Sequence, residues 1–183
     1  MTGKSVSPLD VLDFWWQAGP SKWFAQSDAF DAEIRDRFFA AIELAQAGEL
    51  QEWRETPHGC LALIILLDQF CRNVFRKDAR AFVADPIALA LAEDAMARGY
   101  DRAFPKEARV FFYLPFEHAE DMTAQERCVD LCRQLGAQDY YLYALVHMDV
   151  IRRFGRFPHR NEVLGRESTA AELTFLAEGG FSA

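Results

Sequence analysis

The chain has 183 residues, about one domain at roughly 150 residues per domain, and is long enough to bury a core without disulfides or a structural metal. Hydrophobic residues make up 51%, aromatic 14% and charged 26%, with only 10 Gly and 7 Pro, which excludes disorder, collagen-like sequence and low-complexity arrays. The 20 basic and 28 acidic residues leave −8, which argues against extended phosphate-backbone contacts with nucleic acid and against an anionic membrane surface.

Residues 1–183 read as a single all-α domain with 1–7 as a flexible N-terminal tail. Residues 1–13 carry one Lys and no apolar stretch of signal-peptide length, and the longest apolar run, Cys60 to Leu67, is far too short to span a membrane. Ser7-Pro8 then supplies an N-cap with proline at the first helical position, with Asp10 as the capping-box partner; Thr56-Pro57 and Asp85-Pro86 repeat the cap-plus-proline signal. Thr123-x-x-Glu126 and Thr169-x-x-Glu172 read as capping boxes, and Gly48, Gly99 and Gly136 as C-terminal stops. Phe30, Ile34, Phe38 and Ile42 recur every four residues, and Cys128, Leu131, Cys132 and Leu135 follow the helical template. The marks predict helices near 8–17, 27–47, 57–76, 86–98, 105–115, 123–135, 137–154 and 169–177, a short turn near 158–164, and almost no sheet. Short loops make consecutive helices antiparallel neighbours.

Two helices read as central, because Leu61-Ala-Leu-Ile-Ile-Leu-Leu67 and Tyr140-Tyr-Leu-Tyr-Ala-Leu-Val146 are apolar or aromatic all round. Both then turn charged. The first continues through Asp68, Arg72 and Asn73, the second through His147, Asp149 and Arg153, with Asp68/Arg72 and Asp149/Arg153 at ion-pairing i,i+4 spacing. Residues 72–80 carry Arg72, Arg76, Lys77 and Arg80 against Asp78, and residues 152–166 carry Arg152, Arg153, Arg156, Arg160 and Arg166 against Glu162. These segments sum to +7 and leave −15 elsewhere. If their ends converge they form a local anion-attracting pocket, and arginine suits two-pronged carboxylate or phosphate contacts. The same residues would serve equally well as structural ion pairs to Asp68, Glu117 and Asp121.

A third group is Tyr113-Leu-Pro-Phe-Glu-His-Ala-Glu-Asp121, where Pro115 is expected to break the helix and aim Glu117 and His118 inward at a kink. A metal would have to join His118, His147 and one carboxylate from different helices; the usual alternative is a hydrogen-bonded core histidine, and neither a metal nor another cofactor is assigned. Nucleophile elbows, phosphate-cradling glycine loops and His-Glu-x-x-His are missing. Cys60, Cys71, Cys128 and Cys132 lack Cys-x-x-Cys spacing and sit among apolar residues, so they read as reduced core residues of a cytoplasmic protein. Phe14, Trp15, Trp16, Trp23, Phe24 and Trp53 read first as N-terminal core packing and second as a stacking ledge.

Taken together, Leu61 to Arg76 (Leu-Ala-Leu-Ile-Ile-Leu-Leu-Asp-Gln-Phe-Cys-Arg-Asn-Val-Phe-Arg), Tyr113 to Asp121, Arg153-Phe-Gly-Arg-Phe-Pro-His-Arg-Asn161 and Leu164-Gly-Arg-Glu-Ser-Thr169 resemble the bacterial family catalogued as domain of unknown function 924. The likeness runs from about Val11 to the C-terminus, with one departure, Cys71, where the family pattern usually has proline. The resemblance implies a tetratricopeptide-like, right-handed stack of helical hairpins, about eight to nine helices, and brings no established activity. The leading reading is a protein whose pocket of Asp68, Arg72, Asn73, Glu117, His118, Asp121, His147, Arg153, Arg156, His159, Arg160 and Asn161 binds an anionic small molecule or a peptide segment. The alternative is a hydrolase of a phosphorylated or carboxylated metabolite, with His118 or His147 as general acid/base, oriented by Glu117 or Asp121, and with a divalent metal as an optional helper.

Overall fold

A computed structural model describes residues 6–181, and the expected tail falls largely on residues 1–5, outside the described residues. Within the tail's predicted bounds, Val6 packs against the core and Ser7 closes a capping box with Asp10 at the start of α1 (Pro8–Ala18). The chain continues through α2 (Pro20–Trp23), α3 (Asp28–Gln46), α4 (Pro57–Ile64), a π-helical segment (Ile65–Phe70), α5 (Cys71–Val74), α6 (Asp85–Ala97), α7 (Lys106–His118), α8 (Met122–Leu135), α9 (Gln138–Phe154) and α10 (Ala170–Ala177), with short 3-10 turns between several of them. No strand occurs among the described residues. The all-α fold is therefore as expected.

The centre of the molecule is α4. Its residues Cys60–Ile64 and the whole π-segment are buried, with α1 on one side, α6 and α7 on others, and α3 against the π-segment and α5. Gly59 is required there by close approach: a Cβ would stand 2.1 Å from the Trp53 carbonyl oxygen, so the 3-10 turn Gln51–Glu55 can lie directly on α4. Trp15, Trp23 and Phe111 pack ring on ring, with the Trp23 indole N–H donating to the Trp15 carbonyl at 2.6 Å. Phe14, Trp15, Trp23 and Trp53 are thus core, whereas Trp16 is half-buried and Phe24 is 57% exposed. From α6 onward, successive helices pair as neighbours, α6 with α7, α7 with α8 and α8 with α9, an arrangement compatible with a repeat-like stack.

Four expectations are corrected. The helix predicted over 57–76 contains the π-segment, whose wider turn misaligns backbone carbonyls; the Cys71 thiol donates to the Leu66 carbonyl at 3.4 Å and Arg72 Nη1 to the Asp68 carbonyl at 2.8 Å, so nearby side chains take them up. Pro115 does not end α7, which runs to His118. Every residue from Val110 to Glu117 is buried, and that packing outweighs the one hydrogen bond the proline removes. The cap of α8 is Asp121, whose Oδ1 accepts from Ala124 N at 2.9 Å, rather than Thr123. Finally, α9 is not buried all round: Leu142 and Tyr143 are each 57% exposed, and only Ala144, His147, Val150 and Ile151 are buried.

Truncation should report this difference. Ile64→Ala should cost about 2–5 kcal/mol in urea unfolding, since Ile64 is wholly buried. Leu145→Ala, on the half-exposed side of α9, should cost clearly less. Equal losses would contradict the packing described.

Candidate functional site

The polar seam forms where the buried end of α7 meets the π-segment and α9. A helix ending inside protein leaves its last carbonyls without partners. Here Gln125, fully buried on α8, donates Nε2 to the Glu117 carbonyl at 2.6 Å and the Ala119 carbonyl at 2.8 Å, while Arg160 Nη1 donates to the His118 carbonyl at 3.1 Å. These bonds hold Glu117 and His118 in place.

Asp68, 1% exposed, is the hub. Its Oδ1 lies 2.7 Å from His118 Nδ1 and 3.1 Å from Arg72 Nη1, and its Oδ2 accepts from Gln69 Nε2 at 2.6 Å. Burial opposes ionisation of Asp68, but Arg72 and His118 overcome it and hold the carboxyl far below its ordinary range. Arg72 in turn makes a two-pronged contact with Asp85, both bonds 3.0 Å, and Arg160 reaches the same carboxylate at 3.3 Å. The Arg160 guanidinium lies between the Phe82 and Phe157 rings, 4.6 and 4.4 Å from their centroids. The two basic segments do converge, on Asp85.

His147 enters from α9, its ring centroid 6.2 Å from that of His118. Its Nδ1 lies 2.9 Å from the Tyr143 carbonyl and 3.5 Å from Glu117 Oε1. A carbonyl or an ionised carboxylate only accepts, so Nδ1 carries the proton in both rings and Nε2 the lone pair of the neutral forms. Burial and the nearby His118 push His147 down to about 3; burial and Arg72 lower His118. Glu117 has a different difficulty: burial and the charge of Asp68 push its carboxyl up to about 8, and its side-chain contacts are His147 and the Cys128 thiol at 3.8 Å. Beside these groups Phe181 packs on the His147 ring at 4.3 Å and lines a groove of about 260 Å³ with Leu145, Val146, Asp149, Val150 and Phe175.

Of the residues picked from the sequence, Asp68, Arg72, Glu117, His118, His147 and Arg160 meet in this seam. His159 lies at its margin, its ring 5.6 Å from Phe181 and its buried Nδ1 without a hydrogen-bond partner among the described residues. Burial and Arg160 push His159 down to about 4. The rest lie elsewhere. Asn73 donates to Asp31 at 2.7 Å in a separate hollow with Arg76, Asp121 caps α8, and Arg153 pairs with Asp149 at the surface. Arg156 grips Glu172 at 2.6 and 2.8 Å, and Asn161 joins Glu172 and Arg166, so both dock α10 and its preceding loop. The arginines of both segments are matched by acids: Arg76 with Asp31, Arg80 with Asp78, Arg152 with Asp149 and Arg166 with Glu120.

Asp85, Gln69, Gln125, Phe82 and Phe157 were not singled out as site residues. Asp85-Pro86 marks a helix start, but α6 begins at Asp85 itself with Ala84 as the cap position, so the carboxylate is free for the arginines. Nothing in the local sequence signals that use. Gln125 stands one helical turn from Met122 and Cys128 on α8, a polar residue on an otherwise apolar face, and that placement is the signal the sequence carries.

The profile of bacterial proteins of unknown function, DUF924, matches residues 11–180. The chain belongs to this family. A solved structure titled "Structure of Protein of Unknown Function ATU0120 from Agrobacterium tumefaciens" is 49% identical, with a TM-score of 0.91 over 94% of this chain and 97% of the other. No curated protein matches. Family membership therefore establishes the fold and leaves the activity to be argued from the seam.

Two measurements check the site's energetics. Gln125→Leu strands buried carbonyls at the end of α7 and should cost at least about 1–3 kcal/mol in urea unfolding; an unchanged midpoint would remove Gln125 as the clamp. For Glu117, the folded state keeps a proton that the unfolded chain releases above its ordinary value of 4.5, so native stability falls as pH rises from there to about 8. In EDTA-containing buffer Glu117→Gln should gain on the wild type over that window, by more at pH 8 than at pH 5. A gap independent of pH would show that Glu117 is not held protonated.

Proposed function

We propose that the protein binds a small anionic ligand, one carrying a carboxylate or phosphate or the acidic group of a peptide segment, at the seam of Arg160, His118 and His147. The observation that carries this reading is the Arg160 guanidinium. It is buried between two rings, its hydrogen bonds leave from Nη1, and its Nε has no partner among the described residues. Burial and Arg72 push it down to about 10, so its charge is only partly compensated by Asp85. A buried unsatisfied donor is costly, and an incoming anion relieves that cost. Each histidine would donate to the anion only after taking up a second proton at Nε2, and the groove beyond Phe181 supplies an approach.

The scaffold in this reading is one tetratricopeptide-like domain in the cytoplasm. Its four cysteines, all free and buried, suit a reducing compartment. No helix of the described residues is long and apolar enough to cross a membrane.

The hydrolase alternative is favoured by the Asp68–His118 pair. A buried carboxylate orienting a neutral imidazole through Nδ1 leaves Nε2 as a base, with Arg160 beside it to hold a phosphoryl or carboxyl group.

Thermal-shift titration of the wild type and Arg160→Gln with inorganic phosphate, phosphate monoesters and small carboxylates tests the binding reading. A ligand at 100 times its dissociation constant adds about 2.7 kcal/mol, and the variant should lose that response. Flat wild-type traces across the set, or equal responses from the variant, would sink the reading. Turnover of any binding monoester or ester, abolished in His118→Asn, would decide for the hydrolase.

A further inference from the structure

Glu117 is an anomaly among the buried acids. Asp68 and Asp85 face Arg72, Glu172 faces Arg156 and Asp101 accepts from the Tyr113 hydroxyl at 3.0 Å, whereas no arginine or lysine among the described residues pairs with Glu117. The carboxylate points instead toward two imidazoles. Glu117, His118 and His147 each offer a ligand atom, and the three atoms lie within 4.8 Å of one another.

We propose that Glu117, His118 and His147 together bind a divalent transition-metal ion, zinc foremost. Two imidazole nitrogens and one carboxylate oxygen are a donor set suited to zinc, cobalt or iron(II). The outer contacts point the same way. Metal-bound histidines are characteristically held through their other nitrogen by a carboxylate or a backbone carbonyl, and here Nδ1 of His118 is engaged by Asp68 and Nδ1 of His147 by the Tyr143 carbonyl, so Nε2 of each ring is the nitrogen left for the ion; Glu117 Oε1 now stands 3.5 Å from His147 Nδ1 and would shift toward Nε2 on binding. The ligands come from the end of α7, which Gln125 and Arg160 hold in place, and from the middle of α9. Bonds of about 2.1 Å place ligand atoms roughly 3.4 Å apart, so the side chains draw together on binding. Three protein ligands leave a fourth position open, the pattern of reactive rather than structural zinc sites. The anion would occupy that position. The inference rests on the seam as the working site, but the ion binds without the anion.

The nearest competing ligands are thiols: Cys128 Sγ lies 3.8 Å from Glu117 Oε2 and 3.9 Å from Cys132 Sγ. The test uses the full-length protein stripped with EDTA and dialysed, titrated with Zn²⁺ by calorimetry and with Co²⁺ by visible absorption, both without phosphate. One ion per chain is expected. Glu117→Gln and His147→Gln should each weaken binding by more than the about 10–100-fold that loss of an outer partner costs, Asp68→Asn should fall within that range, and Cys128→Ser should bind like the wild type. Circular dichroism and melting of stripped Glu117→Gln, expected to be at least as stable as the wild type, separate lost ligation from lost folding. No binding by the wild type, unchanged binding by both ligand variants, or loss in Cys128→Ser would overturn the site. If the stripped protein takes no ion yet still responds to phosphate, the metal falls and the anion reading stands. If the ion binds in the expected way and phosphate has no effect, the anion reading falls and the metal stands.

Discussion

The last turn of α7 is buried, so its free carbonyls need donors that water does not supply. Gln125 and Arg160 provide them, from α8 and from the 3-10 turn Pro158–Arg160. Much of the molecule's polar organisation follows from this constraint. Once Arg160 is committed to the His118 carbonyl, its charge needs local balance, and Asp85 supplies part of it while also holding Arg72. Arg72 then stabilises Asp68, and Asp68 orients His118. A backbone need at one helix end is thereby converted into a chain of charged side chains crossing four elements.

The same chain explains why positive charge in two segments does not make a broad basic surface. Arg76, Arg80, Arg156 and Arg166 pair with carboxylates that fasten loops and α10, and Arg152 with one on its own helix, α9. Exposed pairs of this kind contribute little individually, whereas the largely buried group of Arg72, Arg160, Asp68 and Asp85 leaves one charge uncompensated if any member is removed. The acids of the seam are compensated unevenly, and the uneven one, Glu117, lies beside the two histidines. A buried carboxyl kept without a cationic partner costs stability, and such costs concentrate where a site has work to do.

The local backbone choices are largely legible in the chain. Ser7 with Asp10, Thr56 before Pro57, and Thr169 with Glu172 cap the helices expected of them, and Gly48, Gly99 and Gly136 take left-handed conformations. Where reading by residue type failed, packing had overridden it. Pro115 is held within α7 because the surrounding turn is wholly buried, and an apolar run from Tyr140 to Val146 leaves Leu142 and Tyr143 at the surface because α9 covers the stack on one side only.

Periodicity, caps and breakers act over three or four residues, so the sequence by itself determined an all-α chain, most helix boundaries and the central position of α4, and it marked Asp68, His118 and His147 as unusual neighbours of apolar runs. Which of those polar residues meet was a matter for the tertiary structure alone. Asn73 is one residue from Arg72 yet faces Asp31, while Asp85 and Arg160, 75 residues apart, share a hydrogen bond. The reason is geometric: on a helix adjacent residues point about 100° apart, so sequence proximity says little about which side chains share a buried space, and that is decided by how the helices cross.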